Sequence, residues 1–226
     1  MKPRELLAST VTPDGMSMTL TLHAGDYYID VDGDELMSTR APGSERALAT
    51  LAAEELQGGA GARVLIGGLG LGFTLEAARE AFPADAQLTV VEYFEIIVDW
   101  NRKFSFASSG SDAFEDPRVR VEVADVVQYL GRCKPFDAIL LDVDNGPDAW
   151  TLATNDRLYD HQGLGRIDRV LAPGGLLAVW SAAPSSAFEA RLQQAGFAAR
   201  SETVRSRGRK GQRHTIFLAR KPAGAR

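Results

Sequence analysis

The sequence has little of what a disulfide-bonded, metal-binding or membrane protein needs. It contains 1 cysteine, Cys133, among 226 residues, which excludes a disulfide framework and a cysteine-based structural zinc site and suits a reducing compartment. The longest apolar stretches have only the length of strands, and the N-terminus lacks the apolar run of a secretory signal. We therefore expect a soluble, cytoplasmic protein without a membrane span or a bound metal.

Basic charge is also scarce, except near the C-terminus. The chain has 25 Lys and Arg against 30 Asp and Glu, a net charge of −5, and a globally acidic protein is a poor nonspecific binder of nucleic acid. The basic residues 205–213 lie between two strand-like runs. We interpret this segment as a solvated hairpin loop, with contact to an acidic substrate or nucleic acid as the alternative.

Period-two patterning predicts β-structure in the first part of the chain. Apolar and hydroxyl residues alternate from Met16 to Leu22, a pattern typical of a half-buried strand, and runs at 27–31 and 35–38 follow turn residues. Ser44 is the expected N-cap of the first helix. We divide the chain into an N-terminal β-hairpin segment, residues 1–43, and a larger α/β domain, residues 44–226.

From residue 63 onward, short apolar strands alternate with helical stretches. Strands are predicted near residues 63–66, 88–91, 119–123, 136–141 and 176–180. Helical crossovers between them indicate a parallel sheet that is covered on both faces. Two final runs have no helix between them and predict an antiparallel hairpin. Ligands of such sheets bind beyond the carboxyl ends of the strands, so candidate site residues are those that follow each strand.

The turn after the first of these strands is rich in glycine. Four of its six positions are glycine and Leu69 lies among them: Gly67, Gly68, Gly70 and Gly72. Glycine permits a sharp turn and close approach of a ligand to the main chain. Phe73 stands where a dinucleotide-binding motif has its third glycine, so the spacing disfavours NAD.

Acidic residues follow the next three strands. Glu92 is placed to accept hydrogen bonds from both hydroxyls of a ribose. Asp125, next to Val126, either accepts from an exocyclic amine such as that of adenine or caps the following helix, and the two roles are compatible. Asp142 and Asp144 follow the fourth strand, and two like charges in a partly dry cleft are costly unless they bind something. They are candidates for deprotonating a nucleophile or holding a cationic amine or sulfonium.

In chain order, the glycine turn, Glu92, Asp125 and Asp142 resemble the class I S-adenosylmethionine-dependent methyltransferase superfamily, and more narrowly its spermidine synthase (polyamine aminopropyltransferase) branch. The resemblance covers nearly the whole chain, including the N-terminal β segment. It implies a Rossmann-like, seven-stranded, mostly parallel sheet with an antiparallel last strand. It also implies that the glycines pass the methionine-like part of the cofactor, that Tyr93 flanks the adenine, and that Asp142 accepts a proton from the attacking nucleophile.

The sequence departs from the aminopropyltransferase pattern on the substrate side. Gly70 replaces an Asp of the glycine turn, Glu45 and Arg46 stand where the first helix carries a Tyr-Gln pair, and Leu36 lies near the expected glutamine of the hairpin. We therefore predict S-adenosylmethionine, or its decarboxylated form, as cofactor. The first hypothesis is methyl transfer to an unidentified small-molecule acceptor, an amine among the candidates, with Asp142 as base and Asp144 stabilising the cationic side of the transition state.

Two alternatives stay open. The first is an aminopropyltransferase that uses decarboxylated S-adenosylmethionine, and the second is a noncatalytic nucleoside-binding module. A methyltransferase holds the cofactor carboxylate with a donor, whereas an aminopropyltransferase excludes it with an acid, so Gly70 favours methyl transfer. Extension of the N-terminal strands across a two-fold axis suggests a homodimer as a further hypothesis.

Overall fold

The computed structural model describes residues 4–13, 15–57, 60–107, 112–143, 147, 156–208 and 210–224. The strands of an N-terminal sheet are β1 (Glu5–Val11), β2 (Ser17–His23), β3 (Asp26–Val31) and β4 (Asp34–Ser38). The strands of a second, larger sheet are β5 (Arg63–Gly67), β6 (Gln87–Glu92), β7 (Val119–Val123), β8 (Phe136–Leu141), β9 (Leu171–Ser181), β10 (Ala198–Arg207) and β11 (Lys210–Arg220). The helices are α1 (Gly43–Glu55), α2 (Phe73–Ala81), α3 (Glu95–Phe104), α4 (Asp112–Glu115), α5 (Val126–Leu130), α6 (Asp156–Tyr159), α7 (His161–Val170) and α8 (Ser186–Gln194).

The N-terminal sheet is antiparallel in the order β1-β2-β3-β4, so the segment predicted as a hairpin has one more pair of strands than a hairpin. The alternation that predicted β2 is real, because Met18 and Leu20 are buried with 1% and 0% exposure. The prediction missed β1, whose apolar residues do not share one buried face: Leu6 and Val11 are 60% and 69% exposed. The division of the chain at residues 43 and 44 stays a prediction.

The larger sheet has seven strands in the order β10-β11-β9-β8-β5-β6-β7. Strands β8, β5, β6 and β7 run parallel, β9 is parallel to β8, and β11 is antiparallel to both β9 and β10. The predicted Rossmann-like sheet with an antiparallel last strand is thereby confirmed. Strand β5 lies between β6 and β8, so the strand order switches there, and a ligand crevice is expected at the carboxyl end of that switch.

Both faces of this sheet are covered by helices, as a parallel sheet requires. Leu140 of β8 packs into the apolar cluster that includes α1 and α2, whereas its neighbour Leu141 packs into the cluster formed with α7 and α8. Among the helices that the structure describes, none combines the length and the apolarity needed to cross a membrane. The period-two alternation along β8 decides which side chains at its end face α1 and α2.

Two local predictions differ from the structure. Ser44 is not an N-cap: α1 begins at Gly43 after Pro42, and the Ser44 hydroxyl instead donates to Glu45 at 2.6 Å. The basic segment is not a loop, since β10 extends to Arg207 and β11 starts at Lys210. Its arginines alternate with other residues at strand period, and the guanidinium of Arg207 donates to the carbonyl of Arg40 at 2.9 and 3.1 Å.

Candidate active site

Main-chain hydrogen bonds join the glycine turn to the strand ends on either side of it. The Gly68 N–H donates to the carbonyl of Val91 at 2.9 Å, and the Asp142 N–H donates to the carbonyl of Gly67 at 2.9 Å. The turn therefore lies directly between the end of β6, which carries Glu92, and the end of β8, which carries Asp142. The structure brings together at one edge the residues that the sequence predicted for the two halves of a site.

At Gly68 of the turn, the structure has no room for a side chain. Its φ is +86°, and a Cβ there would lie 2.4 Å from the carbonyl oxygen of Asp142. Gly70, at φ +52°, has more space, because a Cβ there would meet only the Met37 sulfur at 3.5 Å. The chain at Gly68 thus packs against the backbone of the predicted base, which fixes the position of Asp142 relative to the turn.

Glu92 is buried, with 6% exposure, and its carboxylate is held by the turn itself. Oε2 accepts from the Leu69 N–H at 2.8 Å, and Oε1 accepts from the Phe94 N–H at 2.9 Å. Burial raises the pKa of Glu92, and hydrogen bonds from main-chain amides, including those of Gly70 and Tyr93, oppose the rise. The carboxylate is therefore placed at the mouth of the sheet in a fixed orientation.

Asn101 is a part of the site that sequence reasoning missed. It lies on α3, is 4% exposed, and donates through Nδ2 to the carbonyls of Gly70 and Ile97, both at 2.8 Å. A Cβ at Gly72 would approach its Oδ1 to 3.0 Å. Asn101 therefore holds the glycine turn in place through its contacts with Gly70 and Gly72. The signal that could have found it is a lone amide on the otherwise apolar face formed by Ile97, Val98 and Trp100.

The predicted adenine-side residues lie around the ends of β6 and β7. Asp125 caps α5, since its Oδ1 accepts from the Val127 N–H at 2.6 Å, which confirms the capping interpretation and leaves Oδ2 for another donor. Val126 lies against the turn, where a Cβ at Gly67 would be 3.2 Å from its Cγ2. The ring of Tyr93 is 57% exposed and contacts Phe94 edge to face.

Asp142 is the acid on the β8 side of the glycine turn, across the turn from Glu92. It continues β8 on the face of Leu140, toward α1 and α2, where the Thr74 hydroxyl donates to its Oδ2 at 2.6 Å. Burial and repulsion from the Glu45 carboxylate raise the pKa of Asp142 to about 7, while the Thr74 hydrogen bond opposes that rise. A carboxyl with this pKa gains and releases a proton near neutral pH, as a general base must.

Glu45 and Arg46, the two residues that replace the family's Tyr-Gln pair, have different surroundings. Arg46 forms ion pairs with Glu76 and Glu80 of α2, the latter at 3.0 Å. Those pairs tie the start of α1 to the helix that follows the glycine turn. The charge of Glu45 instead raises the pKa of Asp142 and also that of His214. Sequence reasoning named both positions but not the helix contact, which joins residues about 30 positions apart in the chain.

Trp180 and His214 pack together beside the end of β8. Trp180 lies one residue beyond Val179, the partner of Leu141 in the β8–β9 ladder, and its ring contacts that of His214 with centroids 4.9 Å apart. Trp180 Nε1 and His214 Nδ1 are buried and have no hydrogen-bond partner among the described residues. Burial lowers the pKa of His214, which favours the neutral ring, and the charge of Glu45 opposes this.

One predicted catalytic residue cannot be placed. Asp144 lies outside the described residues, which end at 143 on this side of the site and resume at residue 147. Its assignment as the acid that stabilises the cationic transition state stays a prediction. Among the residues that the structure does describe, no three or more His, Cys, Asp or Glu side chains are grouped so that they could hold a metal ion.

The raised pKa of Asp142 leads to a prediction about stability. Since its folded pKa is about 7 against an ordinary value of 3.8, the folded chain binds this proton more tightly than the unfolded chain does. The free energy of unfolding should therefore fall as pH rises from about 4 to about 7. We expect Asp142→Asn to melt at a higher temperature than the unchanged chain at about pH 8 and to lose that advantage at about pH 4. Thermal melts of both proteins across this range measure the difference, and a gap that does not widen with pH contradicts the assignment.

Known proteins with related sequences are aminopropyltransferases. The chain is 33% identical over 129 residues to a polyamine aminopropyltransferase of Mycobacterium tuberculosis, covering 54% of this chain and 23% of that protein. It is 28% identical over 125 residues to a polyamine aminopropyltransferase of Prochlorococcus marinus, covering 54% of this chain and 42% of that protein. The matches thus span less than half the length of these relatives. No protein-family model matches the chain.

Solved structures of spermidine synthases share the fold. One is a spermidine synthase in complex with the transition-state analogue AdoDATO, with a TM-score of 0.78 at 18% identity, covering 97% of this chain and 74% of that one. Another is the spermidine synthase of Thermotoga maritima, with a TM-score of 0.74 at 15% identity, covering 97% and 73%. The chain therefore shares the fold of spermidine synthases, and the predicted resemblance to them is confirmed.

These relationships overturn methyl transfer as the first hypothesis. The sequence relatives are named aminopropyltransferases and the structural neighbours spermidine synthases, so the ranking drawn from Gly70 is wrong. That ranking assumed that an acid able to exclude the cofactor carboxylate must stand at position 70. The structure shows another acid, Glu45, whose charge reaches Asp142 from α1.

Proposed function

We propose that the chain is an aminopropyltransferase, which transfers the aminopropyl group of decarboxylated S-adenosylmethionine to a small cationic amine. The observation that carries the proposal is the position of Asp142: its backbone packs on the glycine turn and its carboxyl has a pKa of about 7. The relatives named polyamine aminopropyltransferase support the choice of this reaction among those open to the fold.

The residues of the β5–β6–β7 edge fit the adenosyl part of such a cofactor. The Glu92 carboxylate accepts from the Leu69 and Phe94 amides, and the Gly70 and Tyr93 amides also act on it. An ionised carboxylate held in this orientation at the end of β6 would accept from the ribose hydroxyls as well. Tyr93, with its exposed ring, would flank the adenine, and Asp125 beside Val126 would accept from the adenine amine through Oδ2. The glycine turn allows close approach of the cofactor to the main chain.

The reaction at the other half needs a positioned nucleophile and a proton acceptor. When bound, the cofactor supplies a sulfonium-activated carbon whose bond to sulfur breaks as the acceptor nitrogen attacks, so that methylthioadenosine leaves. Asp142 accepts the proton that the nitrogen loses. The negative charges of Glu45 and Asp142 favour a cationic amine beside them, and the fixed strand end holds the reacting atoms together, which is worth roughly 7–11 kcal/mol in favourable cases.

The same two carboxylates should select the form of the cofactor. Like charges brought together in a partly dry site repel, so the carboxylate of S-adenosylmethionine is disfavoured relative to the decarboxylated form. We expect decarboxylated S-adenosylmethionine to bind at least about 10-fold more tightly, equivalent to about 1.4 kcal/mol. Calorimetric titration with both compounds measures this ratio. Incubation with a panel of primary diamines should then release methylthioadenosine and an extended polyamine in equal amounts.

Variants of α1 sharpen this test. Glu45→Gln removes one of the two charges and should narrow the preference for the decarboxylated cofactor, whereas Glu54→Gln, an exposed acid on the same helix, should leave it unchanged. Equal affinity of the unchanged chain for both cofactors would contradict the proposal. Binding of methylthioadenosine without any transfer would instead indicate a noncatalytic nucleoside-binding module.

A further inference from the structure

Thr74 is a buried polar residue in contact with the predicted base. It is the second residue of α2, directly after the glycine turn, and is 2% exposed. Its hydroxyl lies 2.6 Å from Oδ2 of Asp142 and 3.3 Å from the carbonyl oxygen of Glu45. A hydroxyl has one hydrogen to donate, and the shorter distance to a carboxylate marks Asp142 as its acceptor.

Different neighbours of Asp142 favour different protonation states of its carboxyl group. Burial and the charge of Glu45 on α1 favour the protonated form, and the Thr74 hydrogen bond from α2 favours the charged form. Three other charged groups at the α1–α2 contact are ion-paired, since Arg46 pairs with both Glu76 and Glu80. On the β9 side the neighbour is Trp180, which carries no charge, and the titratable ring of His214 on β11 contacts Trp180 with ring centroids 4.9 Å apart. Thr74 therefore supplies the side-chain donation that the charged carboxylate receives among the described residues.

We propose that Thr74 is a positioning residue for the transfer reaction: by donating to Oδ2 of Asp142, it fixes the rotation of the carboxylate and leaves Oδ1 to accept the proton of the attacking nitrogen. This inference rests on the proposed function for its catalytic meaning. The contact between Thr74 and Asp142 exists without substrate, however, so it can be tested apart from turnover.

The first measurement is the titration of Asp142 in the chain without cofactor or amine. With ¹³C-labelled aspartate, NMR should show the Asp142 midpoint near the value of about 7. Thr74→Val keeps the shape of the side chain but removes the donor, and we expect the midpoint to rise by about one to two pH units, the effect of losing a hydrogen bond to a charged group. Thr74→Ser keeps the hydroxyl and should stay within a few tenths of a unit of the unchanged chain.

The second measurement is the pH dependence of kcat/KM for aminopropyl transfer. Its acidic limb should move upward in Thr74→Val by the same amount as the titration and return in Thr74→Ser, while the Kd for methylthioadenosine stays constant. Thr21→Val is the matched control, because Thr21 is also buried but its hydroxyl has no partner among the described residues. Thr74→Ala serves if Thr74→Val does not fold.

The outcomes separate the two proposals. An unchanged Asp142 titration in both Thr74→Val and Thr74→Ala overturns the positioning role, whatever the turnover. A shifted titration that does not appear in the kcat/KM profile of an active enzyme overturns it as well. A shifted titration together with no transfer by the unchanged chain supports the Thr74–Asp142 contact and overturns the proposed function.

Discussion

Asp142→Asn is expected to lower kcat for aminopropyl transfer by about 10²–10⁴-fold, the usual contribution of a general base. The amide has nearly the size of the carboxylate and its oxygen can still accept from Thr74, so the strand end should keep its shape. What it loses is the ability to take a proton from the attacking nitrogen. Because the pKa of Asp142 is about 7, kcat/KM of the unchanged chain should rise with pH and level off above about 7, and the variant should lose this limb.

Two controls accompany this variant: the Kd for methylthioadenosine and a substitution of an acid far from the site. The Kd for methylthioadenosine, which lacks the transferred group, should change little, because its predicted contacts lie with Glu92 and Asp125 on the other side of the turn. Asp99→Asn alters a surface acid on α3 that is 58% exposed and should leave kcat unchanged. A loss of methylthioadenosine binding in Asp142→Asn with kcat preserved would reverse the roles of the two halves of the site.

The alternation of strands and helices made the larger sheet predictable. The central strands β5 and β8 are buried on both faces, so each appears in the sequence as a short apolar run that ends at glycine or an acid. Strand β1 was not predictable in this way, because Leu6 and Val11 are exposed and produce no periodic pattern. The strands of the basic hairpin were obscured by charge, since Arg205 and Arg207 at the end of β10 look like part of a solvated loop when their backbone pairing is unknown.

The acids of the site were predictable because strand ends can be recognised in the sequence. The residues that contact those acids in the folded chain were not predictable. Glu92 and Asp142 end or follow apolar runs and Asp125 follows the alternating strand β7, and parallel strands bring such positions to one edge. Thr74 and Glu45 reach Asp142 only because α1 packs on α2 above the end of β8. That contact depends on helix packing, for which a single sequence gives no register. The ranking of methyl transfer over aminopropyl transfer failed at this point, since it counted acids by motif position rather than by location in space.

Gly68→Ala is expected to destabilise the chain strongly and to abolish cofactor binding, while Gly70→Ala is not. At Gly68 the φ of +86° would cost an alanine roughly 1–3 kcal/mol, and its Cβ would lie 2.4 Å from the carbonyl oxygen of Asp142, backbone that must shift at a further cost of roughly 1–3 kcal/mol. At Gly70 the φ of +52° lies in the left-handed region and the nearest atom is a flexible Met37 sulfur at 3.5 Å, so only about 1–2 kcal/mol is expected.

Thermal melts and methylthioadenosine titration of the two glycine variants measure this contrast. With about 2–4 °C in Tm for each kcal/mol in a chain of this size, Gly68→Ala should melt several degrees below Gly70→Ala. Because the clash pushes on the backbone of Asp142, any folded fraction of Gly68→Ala should also show lower kcat, whereas Gly70→Ala should retain both binding and turnover. Equal melting temperatures and equal affinities would mean that the turn does not press against the end of β8, and the geometry on which Asp142 depends would then be wrong.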